Sequence, residues 1–133
     1  MKLFLNSLAF FLLLLNGTGA IYGGWLLISS PDGSSLQLPL DYLKSSPFET
    51  YLIPGLILFT VNGLFSFLTL LLMILKNKKA PWFILAQGIL LTGWILVQVI
   101  LIQVFHPFQL IFGLTGIILA GIGWYGKAQT KTA

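Results

Sequence analysis

His106 is the one side chain in this sequence whose ordinary pKa lies near neutrality. Asp41 and Glu49 are the carboxylates that could face it, because all three fall in segments expected on one side of a membrane. A histidine polarised by a carboxylate is the minimum for general-base chemistry. Gln103 and Gln109 stand three residues to either side of the histidine. No nucleophile motif accompanies the set, and one histidine cannot supply a typical zinc set. The plainer reading, a histidine at a helix turn or at the interface, is preferred. No catalytic residue is assigned, and the chain reads as leaning away from an enzyme. Cysteine is absent, which removes disulfides, thiol redox chemistry and thiolate metal sites together. There is no phosphate-binding glycine loop, so neither a cofactor nor a metal is expected.

The other candidates are uncharged amides inside apolar segments: Asn16, Asn62, Gln87 and Gln98. Asn16 and Asn62 fall at similar depth near a membrane midplane. Gln87, Leu91, Trp94 and Gln98 follow at spacings of 4, 3 and 4 residues, hence on one helix face. Trp94 stands too deep for an interfacial role and is expected to pack between helices. Two roles compete for this polar cluster. The amides can bond across helices, typically about 0.6 kcal/mol each, or they can line a cavity for a lipid or small polar ligand. The packing role is preferred. A carboxamide without a partner is costly in hydrocarbon, so Asn62, followed by Gly63 and sharing its face with Ser66, is expected to meet Asn16. Glycine and alanine mark the helix-packing surfaces: Gly19 and Gly23 as a small-xxx-small pair, Gly63 beside Asn62, and Gly113, Gly116 and Ala120 near the C-terminus.

The elements that must carry these residues follow from composition. Of 133 residues, 57 % are apolar and only 8 % charged, against about a quarter charged in a soluble domain. Such a chain lacks the polar side chains to cover a surface in water. The longest informative stretch is Ser46 to Lys79. Ser46, Pro47 and Glu49 give a helix-start signature; an uncharged run then reaches Leu75, and Lys76, Lys78 and Lys79 end it. About 20 helical residues cross a hydrocarbon core. Four such spans are expected, over residues 3–28, 47–75, 81–104 and 107–125, in a single domain. The fold class is an all-α membrane protein of four antiparallel helices with a structured outer loop over 29–46. The first helix would be about 39 Å long, so it should tilt or be interrupted near Gly23-Gly24. A secretory signal peptide cleaved after Ala20 is the alternative for the N-terminus. Cleavage would leave IYGGWLLISS with nowhere to bury, so the uncut helix is preferred. In the outer loop Ser30-Pro31-Asp32-Gly33 reads as a turn. Pro54-Gly55 predicts a kink or a short separate helix. Phe105-His106-Pro107 reads as a tight reversal, and the tail from Gly126 as polar and frayed.

Charge sets the expected topology. Six of the seven lysines (Lys2, Lys76, Lys78, Lys79, Lys127 and Lys131) fall on the side of the termini, while Lys44 falls on the other with Asp32, Asp41 and Glu49. The bias predicts that both termini are cytoplasmic. Trp82, Trp124 and Tyr125 would mark the inner interface, and Tyr22, Trp25, Tyr42, Phe48 and Tyr51 the outer one. The net charge of +4 sits at segment ends, so it argues for membrane topology and against nucleic-acid binding. With no ionisable group deep in a span, a proton relay or charge-driven pump is disfavoured.

The motifs PDG, LPL, SPFETYLIPGL, NGL, a basic inner loop and GWILVQ run through the middle of the chain, from Pro31 to Gln103. In these the sequence resembles a group of small four-helix bacterial membrane proteins known only as hypothetical or uncharacterised. The resemblance implies a four-span inner-membrane protein and carries over no activity, cofactor or catalytic residue. The loop cysteines of tetraspanins and claudins are missing. Three function classes follow: a non-catalytic packing or accessory bundle associating with itself or a larger membrane protein; a binder or conduit for lipid or another apolar molecule; and an outer-leaflet enzyme using His106. The first is preferred, with membrane lipids as the general surroundings.

Overall fold

Four runs of apolar residues, each unbroken by charge, become helices because helix is the one way a single segment satisfies its own backbone away from water. The computed structural model describes residues 2–34, 50–102 and 107–132, with side chains over 3–34, 50–100 and 109–128. Within them the chain forms α1 (Lys2–Ser29), α2 (Leu52–Ile57), a π-helical segment (Leu58–Leu64), α3 (Phe65–Ile74), α4 (Ala80–Ile102) and α5 (Pro107–Thr132). There is no strand among the described residues. Four helical stretches are long and apolar enough to cross a membrane: Leu3–Ser29, Leu52–Ile74, Ala80–Ile100 and Gln109–Ala128. This is a helical, multi-span membrane protein.

The 28 residues of α1 make a helix about 42 Å long. Of the expected tilt or interruption near Gly23-Gly24 the interruption is not seen: the helix runs unbroken there, because a neighbouring backbone packs on that stretch and offsets the cost of the glycines. The Ser29 hydroxyl donates to the Trp25 carbonyl at 2.9 Å and closes the last turn. The predicted turn follows: the Gly33 amide donates to the Ser30 carbonyl at 2.9 Å, with Gly33 at φ 81°. The Ser34 amide donates to Asp32 Oδ1 at 3.0 Å, and that bond holds the Asp32 carboxyl below its ordinary range. Of the expected outer loop, residues 35–49 lie outside the described residues.

The second span departs from expectation at its start. Thr50 and Tyr51 form a bend inside the expected helix and α2 begins at Leu52, while the expected start at Ser46, Pro47 and Glu49 lies outside the described residues. Pro54 therefore falls in the first turn, where a missing amide removes no helix bond. The Tyr51 amide donates to the Pro31 carbonyl at 2.8 Å and ties this start to the turn after α1. Tyr51 is buried, packed with Leu27 and Leu58, and so is not part of an outer aromatic belt. The irregularity comes a turn later, in the wide turns of Leu58–Leu64, where the Phe65 amide donates to the Thr60 carbonyl.

α3 ends in a Schellman arrangement: the Lys76 amide donates to the Met73 carbonyl at 3.1 Å and the Asn77 amide to the Leu72 carbonyl at 3.0 Å. Lys76 occupies the left-handed position, at φ 55°, where glycine is usual. The conformation costs a side-chain-bearing residue about 1–2 kcal/mol. At the other end of the sequence, α5 continues to Thr132 instead of fraying from Gly126. Lys127 supports the extension, its Nζ lying 4.0 Å from the Trp124 ring centroid and 4.9 Å from that of Trp82.

Two glycine-mediated contacts hold the helices together. Along α1, Gly17 meets Ser66 and Phe67, Ile21 meets Gly63, and Gly24 meets Phe59, so numbering falls on one helix as it rises on the other. Gly88 meets Gly116 and Ala120, while Gly123 meets Leu85, in the same descending order. Ala9, Leu12, Leu13, Leu70, Ile84, Leu119 and Ile122 form the apolar core between them.

The packing register differs by one or two positions from the expected one. A Cβ on Gly19 would meet only Phe112, at 3.8 Å, and one on Gly23 only Leu58, at 3.6 Å. The intimate positions are Gly17 and Gly24, because Asn16 and Ala20 set which side of α1 turns inward. Gly113 is likewise a loose contact, 3.7 Å from Ile95, whereas Gly63, Gly116 and Ala120 lie at close crossings. Two substitutions separate tight from open glycines. Gly24→Ala would place its methyl 2.8 Å from the Phe59 amide nitrogen and should cost about 1–3 kcal/mol. Gly121→Ala meets nothing within 4 Å and should be neutral or gain up to about 1 kcal/mol from helix propensity. Thermal unfolding in detergent checks both, and a destabilising Gly121→Ala would contradict the assignment of an open face.

Candidate functional site: a buried polar ring

The site grows from one requirement, that an amide in hydrocarbon must find a partner. Asn16 sits midway along α1, and its Nδ2 donates to Ser66 Oγ at 2.9 Å and to the Asn62 backbone carbonyl at 3.3 Å. The Ser66 hydroxyl donates in turn to Gln87 Oε1 at 3.0 Å. Gln87 Nε2 donates to Asn62 Oδ1 at 3.2 Å, returning to the residue whose carbonyl Asn16 already holds. Four side chains on three spans thus form a closed circuit, and all four are almost fully buried.

Ser66 determines the order of the bonds. A hydroxyl both donates and accepts, whereas an amide does one at each end. Ser66 takes the Asn16 proton and gives its own to Gln87, which fixes the orientation of the Gln87 carboxamide. The Gln87 amino group then points at Asn62 Oδ1, and Asn62 Nδ2 is left buried with no partner. The π-helical turns bear on the same spot. The Asn62 carbonyl belongs to the widened segment and accepts a side-chain amide from α1, the kind of insertion that accompanies irregular helix.

Packing brings the ring together as much as polarity does. Gly17 follows Asn16 and lets Ser66 and Phe67 approach to about 3.0–3.2 Å of the space a Cβ would fill. Gly63 does the same for Ile21. Phe65 stacks on Phe83 with centroids 5.6 Å apart and rings inclined by 11°, holding the second span against α4 near Gln87. Four threonines within the helices, Thr60, Thr69, Thr92 and Thr115, each return their hydroxyl to the carbonyl four residues earlier. Their polarity is satisfied locally and does not enter the ring.

The expected cluster divides. Asn16, Asn62 and Gln87 join, while Gln98, about three turns along α4 from Gln87, accepts a 3.5 Å bond from Gln109 Nε2 on α5. Trp94 carries a buried Nε1 with no partner among the described residues. Gln87 and Gln98 share a face of α4, yet the distance between them along the axis sends them to different neighbours. Ser66 is the member whose importance a sequence reading understates, since a lone serine in a helix is unremarkable until its neighbours are known. His106, Asp41 and Glu49 lie outside the described residues, so the weak acid–base candidate has no geometry here.

Chemically the ring is inert. Ser66 bonds only to amides, which cannot take its proton as a base would. No group of three or more His, Cys, Asp or Glu lies together among the described residues. No protein-family model, curated protein or solved structure matches this chain.

The circuit predicts coupled energetics. Ser66→Ala removes the relay and leaves the Asn16 amide and Gln87 oxygen short of a partner, an expected loss of about 1–2 kcal/mol. A double-mutant cycle of Ser66→Ala with Gln87→Leu should show a coupling of about 0.6–1.7 kcal/mol. Strictly additive effects in detergent unfolding would contradict the circuit.

Proposed function

We propose that this chain is a non-catalytic, multi-pass protein of a bacterial inner membrane, an accessory or interaction bundle that associates with copies of itself or with a larger membrane protein. The observation that carries this reading is the closure of the polar ring. Apart from Asn62 Nδ2, the ring's groups bond chiefly to one another, and their arrangement holds three spans in register. In a membrane such polar contacts give a bundle its specific arrangement, because apolar side chains pack on lipid nearly as well as on each other. What remains for recognition is the outer surface.

On this reading the four spans alternate in direction, both termini face the cytoplasm, and the connection from the first span to the second lies on the outer side. Six of seven lysines support that orientation. A conduit for apolar molecules, gated by the second span and the outer loop, has less support, since Asn16 and Asn62 meet each other. An enzyme built on His106 has no described geometry behind it.

Two measurements test the proposal. Reporter fusions after Lys79 and within Gly33-Ser34 should give cytoplasmic and external signals respectively, and a cytoplasmic signal from the second would reverse the topology. Native mass spectrometry after mild extraction should show a second copy or a co-purifying protein. A bare monomer at every detergent concentration would count against the accessory role.

A further inference from the structure

The lysine end of the bundle is not closed. Between the start of α1, the α3–α4 connection, the start of α4 and the end of α5 lies a groove of about 680 Å³, within the range of small-molecule sites. Its floor reaches the apolar core at Leu5, Met73, Ile84 and Ile122, and its rim carries Lys76, Lys78 and Asn6. Apolar depth and a cationic mouth therefore occur in one cleft, at the level where a span leaves the hydrocarbon.

No acidic side chain among the described residues lines that mouth. The chain contains no Asp or Glu after Glu49, and Asp32 stands beyond the opposite end of α1. Lys127, the neighbouring cation, is engaged with the Trp82 and Trp124 rings, whereas Lys76 and Lys78 are exposed on the groove. Lys76 also holds its left-handed backbone position where glycine would fit without strain. A side chain is present at a site that favours having none.

We propose that this groove binds one anionic phospholipid, its phosphate between Lys76 and Lys78 and an acyl chain along the floor toward Ile84 and Ile122. A lipid supplies both halves of the match, a negative headgroup and an apolar tail, at the depth where the groove opens. A second copy of the chain fits poorly, because a symmetric contact there would set lysines against lysines. The inference concerns a different surface from the polar ring and does not rest on the accessory role.

The test uses the full chain, extracted in mild detergent and offered equal amounts of phosphatidylglycerol and phosphatidylcholine with identical acyl chains. Native mass spectrometry should show one retained phosphatidylglycerol, preferred by about thirtyfold, as two lysines near an anionic group would give. K76G and K78Q together should reduce the preference to within about twofold. K76G relieves the backbone strain, so its thermal midpoint should hold or rise while selectivity falls, separating binding from folding. K79Q removes an exposed charge that does not line the groove and should leave the preference largely intact. The proposal fails if the native chain shows no preference or the double variant keeps it. It fails equally if K79Q abolishes the preference, if millimolar inorganic phosphate displaces the lipid, or if the substitutions instead dissolve a dimer.

Discussion

An amide without a partner in hydrocarbon sets the terms for this bundle. Apolar side chains hold helices together only weakly in a membrane, since lipid tails are equally apolar. The circuit Asn16–Ser66–Gln87–Asn62 supplies the directional component that packing lacks. Shifting any one of its three spans by a residue would rotate its amide by about 100° and leave the others short of a bond. Register between spans is therefore tied to hydrogen bonding, and the surrounding leucines need only fill the remaining volume.

Glycine makes that circuit reachable. Hydrogen bonds near 3 Å between side chains on separate helices require backbones closer than leucine or isoleucine at the crossing would allow. Gly17 and Gly63 stand directly beside ring members, and Gly24 and Gly55 continue the same close approach toward the far end of α1. Gly88, Gly116 and Gly123 build the separate α4–α5 contact. Gln87 lies next to Gly88, so it presents to the second span from a helix already anchored on its other side to α5. Polar ring and glycine contacts form one mechanical unit.

The second span accommodates this demand with its backbone. Its widened turns over Leu58–Leu64 contain Asn62, whose carbonyl and side-chain oxygen both accept bonds from other helices. A regular α-helix presents its carbonyls along its own axis to its own amides. The irregular segment gives one of them to Asn16. The unpartnered Asn62 Nδ2 is the cost of the same geometry, one donor unsatisfied where four acceptor contacts are made.

Much of this was legible in the residues alone. Run lengths of uncharged apolar sequence determine where a chain can cross a membrane, because bilayer thickness and helix rise leave little freedom. The same solvent argument required Asn16 and Asn62 to face inward and toward each other. The turn at Ser30–Gly33 followed from local chemistry, as turns do. Tertiary structure decided what depends on angles around helix axes. It selected Gly17 and Gly24 over Gly19 and Gly23, sent Gln98 to Gln109 and not to the ring, buried Tyr51, and moved the irregularity of the second span from Pro54 to Leu58–Leu64. Spacing along a sequence says which residues share a face. Only the partner helix says which face is inside, since that choice is made by the closest approach of two backbones.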